Sequence, residues 1–139
     1  MQPRRRDPRE HSVLLVEDDV LVRRELADYL RRCGHRVIEA SSTDEAVTVL
    51  SHVPEEVSLL LCRADAAGTI TGFALARRVR GEHPGIPVLL AGNVEKAAAA
   101  AGEICDEGPE LERPYDPAVV LDRIKRSLAA RDRAGGGDG

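Results

Sequence analysis

Three acidic residues in a row, Glu17, Asp18 and Asp19, follow directly on the aliphatic run Val13 to Val16. Clustered carboxylates beside backbone carbonyls suit a hard cation such as Mg²⁺. The same residues also suit a solvated turn in which Asp19 caps the next helix and the helix dipole favours the carboxylates. Elsewhere the spacing offers little metal chemistry. Cys33, Cys62 and Cys105 are odd in number and far apart, with no CxxC pair. A disulfide framework or a structural zinc site is therefore not expected, and a reducing cytoplasm is the expected compartment. His11, His35, His52 and His83 are scattered without ligand spacing. Neither GxGxxG nor GxxxxGK[ST] follows the first aliphatic run, and acidic residues there repel phosphate. A small nucleotide- or flavin-binding protein is thus the weaker alternative.

The scaffold holding these residues is one domain long, at 139 residues. Hydrophobic residues make up 42% and charged residues 32%, enough apolar material for a core and too much for a disordered polyelectrolyte. With aromatics at only 2%, that core must be aliphatic. A formal net charge of -4 argues against nonspecific binding to nucleic acid or an anionic membrane as the main task. Arg4, Arg5 and Arg6 imitate the start of a signal peptide. The apolar stretch after them is cut short by Glu17, Asp18 and Asp19, so no export segment is expected. No apolar run is long enough to span a bilayer.

Residues 1–11 hold no apolar periodicity and read as a mobile arm; residues 131–139 read as a flexible glycine-rich tail. Between them, residues 12–130 alternate strand and helix signals. Ser12 to Val16 is a short strand buried on both faces. Val22, Leu26, Tyr29 and Leu30 then recur at helical spacing, with Gly34 where a helix-terminating glycine belongs. Arg36 to Ala40 reads as a second strand. Ser42 or Thr43 caps a helix that carries Ala46, Val49, Leu50 and Val53 and stops at Pro54. Val57 to Cys62 is a third strand, and Phe73, Ala76 and Val79 mark a helix ending before Pro84. Ile86 to Leu90 is a fourth strand, and Asn93 caps the alanine-rich segment Val94 to Ala101. A fifth strand is placed near Glu110 to Glu112. Asp116 then caps a last helix bearing Val120, Leu121, Ile124 and Leu128.

Five such alternations predict an α/β fold: a five-stranded open parallel sheet with helices on both faces. In sheets of this kind the working site lies beyond the carboxyl ends of the strands.

The opening VLLVEDDVLVRRELADYLRRCGHRVIEASSTDEAVTVL resembles the receiver domains of bacterial two-component response regulators, as do GFALARRVRGEHPGIPVLLAGN and ERPYDP. The resemblance runs from about Ser12 to about Ala130. It implies a flavodoxin-like (βα)5 fold and a place in a phosphorelay. It also implies a site built from strand ends. Two acidic residues after the first strand hold Mg²⁺, and an aspartate after the third strand accepts phosphate from phosphohistidine. A Thr or Ser after the fourth strand and a Lys after the fifth then bind the phosphoryl oxygens.

Carried over residue by residue, the acidic pair is present as Glu17 and Asp18. An ungapped alignment from Val57 to Gly72 places Arg63 at the phosphoacceptor. Ala91 stands for the Thr or Ser, and Arg113 of ERPYDP for the lysine. Glu110 falls where many relatives carry the aromatic that rotates on activation. These departures together suggest a degenerate receiver. A guanidinium is protonated at any ordinary pH and has no lone pair to attack phosphorus. Arg63 is expected to occupy the metal's place and hold Glu17 and Asp18; the other reading turns it outward to solvent. Asp65, two residues on, is the alternative phosphoacceptor if the register shifts.

The expected function is a phosphorylation-independent protein-interaction module of two-component signalling. It has no enzymatic activity of its own and no cofactor, unless the acidic pair still takes Mg²⁺. The expected partner is a signalling protein such as a histidine kinase or an output protein, with neither membrane nor nucleic acid. The last two helices and the fifth strand form the expected interaction face and a possible homodimer contact. Cys62, beside Arg63, has a lowered thiol pKa only if it is exposed; a buried, inert thiol is the plainer expectation.

Overall fold

The computed structural model describes residues 12–106 and 116–136. Strand β1 (Ser12–Val16) is followed by α1 (Val20–Arg32), β2 (Arg36–Ala40) and α2 (Thr43–His52). A 3-10 turn (Pro54–Glu56) then leads to β3 (Leu59–Arg63), α3 (Gly72–Glu82), β4 (Val88–Ala91), α4 (Val94–Asp106) and α5 (Pro117–Gly136). The strands form one parallel sheet in the order β2-β1-β3-β4. All five residues of β1 are buried, as a central strand covered on both faces requires.

The ends of these elements follow from local chemistry. Asp19 caps α1 by accepting from the Leu21 and Val22 amides. At the other end Gly34, at φ 95°, lets its own N–H reach the Arg31 carbonyl while the His35 N–H reaches that of Leu30. This paired closure is the Schellman motif, and it needs a residue at ease with positive φ. Of the two candidate caps for α2, Ser42 accepts from the Glu45 amide. Thr43 is instead buried, donating its hydroxyl to the Ile70 carbonyl at 2.6 Å. Asn93 and Asp116 cap α4 and α5 as expected.

Two strands are shifted from the sequence expectation. Val57 closes the 3-10 turn by donating to the Pro54 carbonyl, so β3 starts later and runs through Arg63, which pairs with Ala91. Ile86 donates to the His83 carbonyl in a turn and Pro87 has no N–H to give, so β4 starts at Val88.

The larger difference lies in the C-terminal third. The expected five-stranded sheet is corrected: the described residues hold four strands and five helices. The predicted strand at Glu110 to Glu112 lies outside the described residues. Between β4 and a neighbouring parallel strand, a right-handed crossover would put α4 on the face of α2 and α3. Instead α4 packs with α1 and α5. Ala97, Ala98, Ala101, Ile104 and Cys105 share a core with Val13, Leu15, Leu26, Leu30 and Leu61. The other face of the sheet, with Leu14, Val16, Leu60 and Cys62, is covered by α2 and α3.

Helix α5 runs back along α4. Gly102, late in α4, lies against the Pro117 ring at the start of α5, while Lys125 pairs with Glu95 in the first turn of α4. Further along α5, Arg131 reaches the N-cap of α1 with a two-pronged pair to Asp19, at 3.2 and 2.8 Å. Helix α5 continues to Gly136, past residue 131 where the tail was expected to begin, and Arg131 within it makes that pair.

The disulfide expectation is also corrected. Cys33 and Cys105 are bonded, with Cα atoms 5.2 Å apart and a sequence separation of 72. Sequence spacing hides such a pair, since the ends of α1 and α4 meet only after the sheet has formed. Among the described residues no helix is long and apolar enough to cross a membrane.

Gly72, at the start of α3, sets how closely that helix approaches β3. A Cβ there would collide with the Arg63 carbonyl oxygen and crowd the Cys62 sulfur. Gly72→Ala is expected to cost about 2 kcal/mol or more through this overpacking, read as a lower urea midpoint with an unchanged slope.

Candidate functional site

Parallel pairing brings the carboxyl ends of β1 and β3 side by side, with Val16 opposite Cys62. The next residues along, Glu17 and Arg63, therefore emerge together. Arg63 Nη1 donates to Glu17 Oε1 at 2.7 Å, and the Glu17 side chain is 1% exposed against 15% for Arg63. The Asp19 amide donates to the other carboxylate oxygen, Oε2, at 3.0 Å. Arg23, from the first turns of α1, donates to the Glu17 carbonyl at 2.9 Å.

The acidic turn is thus held by guanidinium groups from three elements. Arg23 takes the Glu17 backbone, Arg63 the Glu17 carboxylate and Arg131 the Asp19 carboxylate. Asp18 itself is exposed. Asp65 sits in the turn beyond β3, 74% exposed, with Oδ1 3.5 Å from Arg63 Nη2. Ala91 is buried at the end of β4, directly opposite Arg63. Arg113 and Glu110 lie outside the described residues.

Burial dominates the Glu17 titration and raises its pKa; the Asp19 amide and the Arg63 charge pull it back only in part. A gross attraction of about 4 kcal/mol between charges roughly 4 Å apart, at an effective dielectric near 20, is of the right size to be cancelled by desolvation. Asp19 is affected the other way. Its partial burial raises the pKa, but hydrogen bonds from Arg131 and from the Val22 and Leu21 amides together outweigh that and lower it. Burial pushes the Cys62 thiol up to about 12, with the Glu17 carboxylate acting in the same sense. That thiol is therefore inert, whatever its nearness to Arg63 in sequence.

These residues do not fit a magnesium ion. Both Glu17 carboxylate oxygens already accept from fixed donors, and a permanent cation stands 2.7 Å from one of them. Among the described residues no three His, Cys, Asp or Glu side chains converge as a metal site. Arg63 Nε, by contrast, is buried with no hydrogen-bond partner among the described residues. The pair is held at some cost in unsatisfied polarity.

Of the residues the sequence pointed to, Glu17, Asp18, Arg63, Asp65 and Ala91 lie at or just beyond strand ends; Arg63 was expected to hold both Glu17 and Asp18 but pairs with Glu17 and Asp65, while Asp18 is exposed. It missed Arg23 and Arg131. Arg23 sits in helical register one turn after the N-cap, a signal too common to single out. Arg131 is 112 residues from Asp19 and lay in the stretch read as tail. His35, read as one of four scattered histidines, is buried with Nε2 3.0 Å from the Ile104 carbonyl.

No family model matches the chain. Among curated proteins it is similar to the response regulator protein FleR of Pseudomonas aeruginosa, 32% identical over 118 residues, covering 83% of this chain and 24% of FleR. It is 27% identical to the transcriptional regulatory protein ResD of Bacillus subtilis, over 86% of this chain and 48% of ResD. Among solved structures, a putative response regulator from Chloroflexus aurantiacus matches with a TM-score of 0.54 and 28% identity, over 86% of this chain and 98% of that one. A receiver domain protein from Clostridium thermocellum matches in fold alone, with a TM-score of 0.54 and 16% identity over 88% and 97% of the two chains. Likeness in sequence to response regulators, and in fold to receiver domains, together support a response-regulator receiver domain. The chain spans about a quarter to a half of the length of these curated relatives.

Arg63→Met is expected to strand the buried Glu17 charge and cost about 3 kcal/mol at pH 7. A carboxylate whose native pKa is raised binds its proton more tightly when folded, so stability falls as pH rises from the ordinary value of 4.5 through the native one. Removing Arg63 raises that native pKa further. The deficit of the variant should therefore shrink as pH falls from 7 toward 5, in urea titrations on both proteins. A deficit that stays constant with pH would show that Glu17 is not its source.

Proposed function

We propose that this domain is an atypical receiver of two-component signalling, one that acts as a protein-interaction module without being phosphorylated. The ion pair between Arg63 and buried Glu17 carries the reading. At the end of β3, where the receiver pattern calls for a carboxylate nucleophile, the chain presents a guanidinium with no lone pair to offer phosphorus. Its positive charge also lies where a divalent cation would have to bind, so the electrostatic aid that phosphoryl transfer needs is opposed from the start. Ala91 brings no hydroxyl to the neighbouring strand end. Asp65 is a poor substitute, being exposed in the turn and directed to Arg63 rather than to the acidic pair.

On this reading the domain has no catalytic activity and no resident cofactor. It works in the cytoplasm by binding a signalling protein, such as a histidine kinase or an output protein. The interaction face expected from the sequence was the last two helices with the fifth strand. In this fold α4 spends most of its small side chains inside the core, so the outer side of α5 is the larger part of what remains. Any homodimer would be built on that same side.

The test is exposure of the whole chain to acetyl phosphate, and separately to beryllofluoride, each with millimolar Mg²⁺. Intact mass and amide chemical shifts are then recorded. Unchanged mass, and no localised shifts at Glu17 and Asp18 with Mg²⁺ alone, are expected. A phosphoryl adduct on Asp65 would establish a working phosphorelay receiver instead.

A further inference from the structure

We propose that Cys33 and Cys105 form a redox-operated clamp, which decides whether the α4–α5 hairpin is held against α1 and the sheet. The two cysteines join the end of α1 to the last turn of α4, on the side of the domain away from the acidic turn. The bond spans a sequence separation of 72 and ties the first helix to a hairpin that no described strand anchors in the sheet.

The remaining attachments of the hairpin are modest. The inner side of α4 is mostly Ala97, Ala98, Ala101 and Gly102, which bury little apolar area per residue. Ile104 is the large side chain of that helix in the core, and its carbonyl meets His35 Nε2 beside the disulfide. From α5, Val120 and Ile124 are buried, and Leu121 and Leu128, with Val94 of α4, pack partly buried against the same core. Toward the strand ends the hairpin is held by Arg131 with Asp19 and Lys125 with Glu95, both partly or largely exposed pairs that salt screens. A covalent tie at one end and screened charges at the other bracket this apolar packing, and of the three the tie alone responds to redox conditions.

The chemistry closes on the residues present and one co-reactant class. Cys33 and Cys105 are 0% and 1% exposed, so a small dithiol reaches the disulfide only when the α4–α5 hairpin opens locally, and its thiolate then breaks the S–S bond. The dithiol supplies two electrons and two protons, leaving Cys33 and Cys105 as thiols and itself as a disulfide. A low-molecular-weight disulfide such as glutathione disulfide runs the exchange in reverse. Cys62 does not compete, because it is buried in the opposite layer of the core. This clamp is independent of whether the domain accepts phosphate.

The experiment compares the full chain in glutathione disulfide and in dithiothreitol, using non-reducing peptide maps and hydrogen exchange followed by mass spectrometry. The oxidised sample should yield one linked peptide pair containing residues 33 and 105. On reduction the amides of α4 and α5 should exchange about tenfold faster or more, with those of β1 and β3 unchanged. Cys105→Ala should show the reduced pattern in either buffer, and Cys62→Ala should behave as the parent. Should Cys105→Ala fail to fold, the two buffers on the parent chain still give the answer. Free, alkylatable Cys33 and Cys105 in the oxidised sample would overturn the clamp. So would reduction that leaves α4 and α5 equally protected, or that speeds exchange in every element alike.

Discussion

A carboxylate buried at the end of the central strand is the constraint around which the strand ends are organised. Glu17 follows a strand covered on both faces, so its charge has little water to turn to and must be satisfied from the protein. The Asp19 amide takes one oxygen and Arg63 the other, while Arg23 fixes the backbone carbonyl of the same residue. Because β1 and β3 are adjacent and parallel, the cation arrives from the neighbouring strand without any loop having to place it. That economy has a cost. The net rise in the Glu17 pKa means that burial takes more than the pair returns, as is common for buried ion pairs. On the proposed reading, a cation belonging to the chain does continuously what a receiver ordinarily asks of a metal ion, and the site has no charge left to change.

The C-terminal third obeys a different logic. Handedness rules bind a helix to one face of a sheet only when a parallel strand follows it in that sheet. Without such a strand in the described residues, α4 is free to choose its layer by packing. It packs where its small side chains allow a close approach to α1, where His35 reaches the Ile104 carbonyl and where Cys105 meets Cys33. Reversal of α5 along α4 then carries Arg131 back to Asp19, so the last described helix reaches the acidic turn. A lowered Asp19 pKa is the electrostatic trace of that contact.

Much of this was legible in the order of residues. Local patterns are short-range physics: alternating aliphatic runs, Asp19, Asn93 and Asp116 at helix starts, Gly34 at a helix end. These gave the four described strands and all five helices, with strand starts shifted where Pro87 and the turn at Val57 intervene and with α4 and α5 running on past their expected ends to Asp106 and Gly136. The acidic pair was legible as the residues just after a strand, and Arg63 through the resemblance to receiver domains, which places it at the end of the neighbouring strand. What the residue order by itself determined is therefore the element sequence and the chemical character of the strand-end site. Which layer takes α4, which way α5 runs, and that Cys33 and Cys105 meet were decided only by the tertiary structure. The physical reason is distance along the chain: contacts 72 and 112 residues apart leave no periodic or motif signal, and form only once the sheet has brought their helices together.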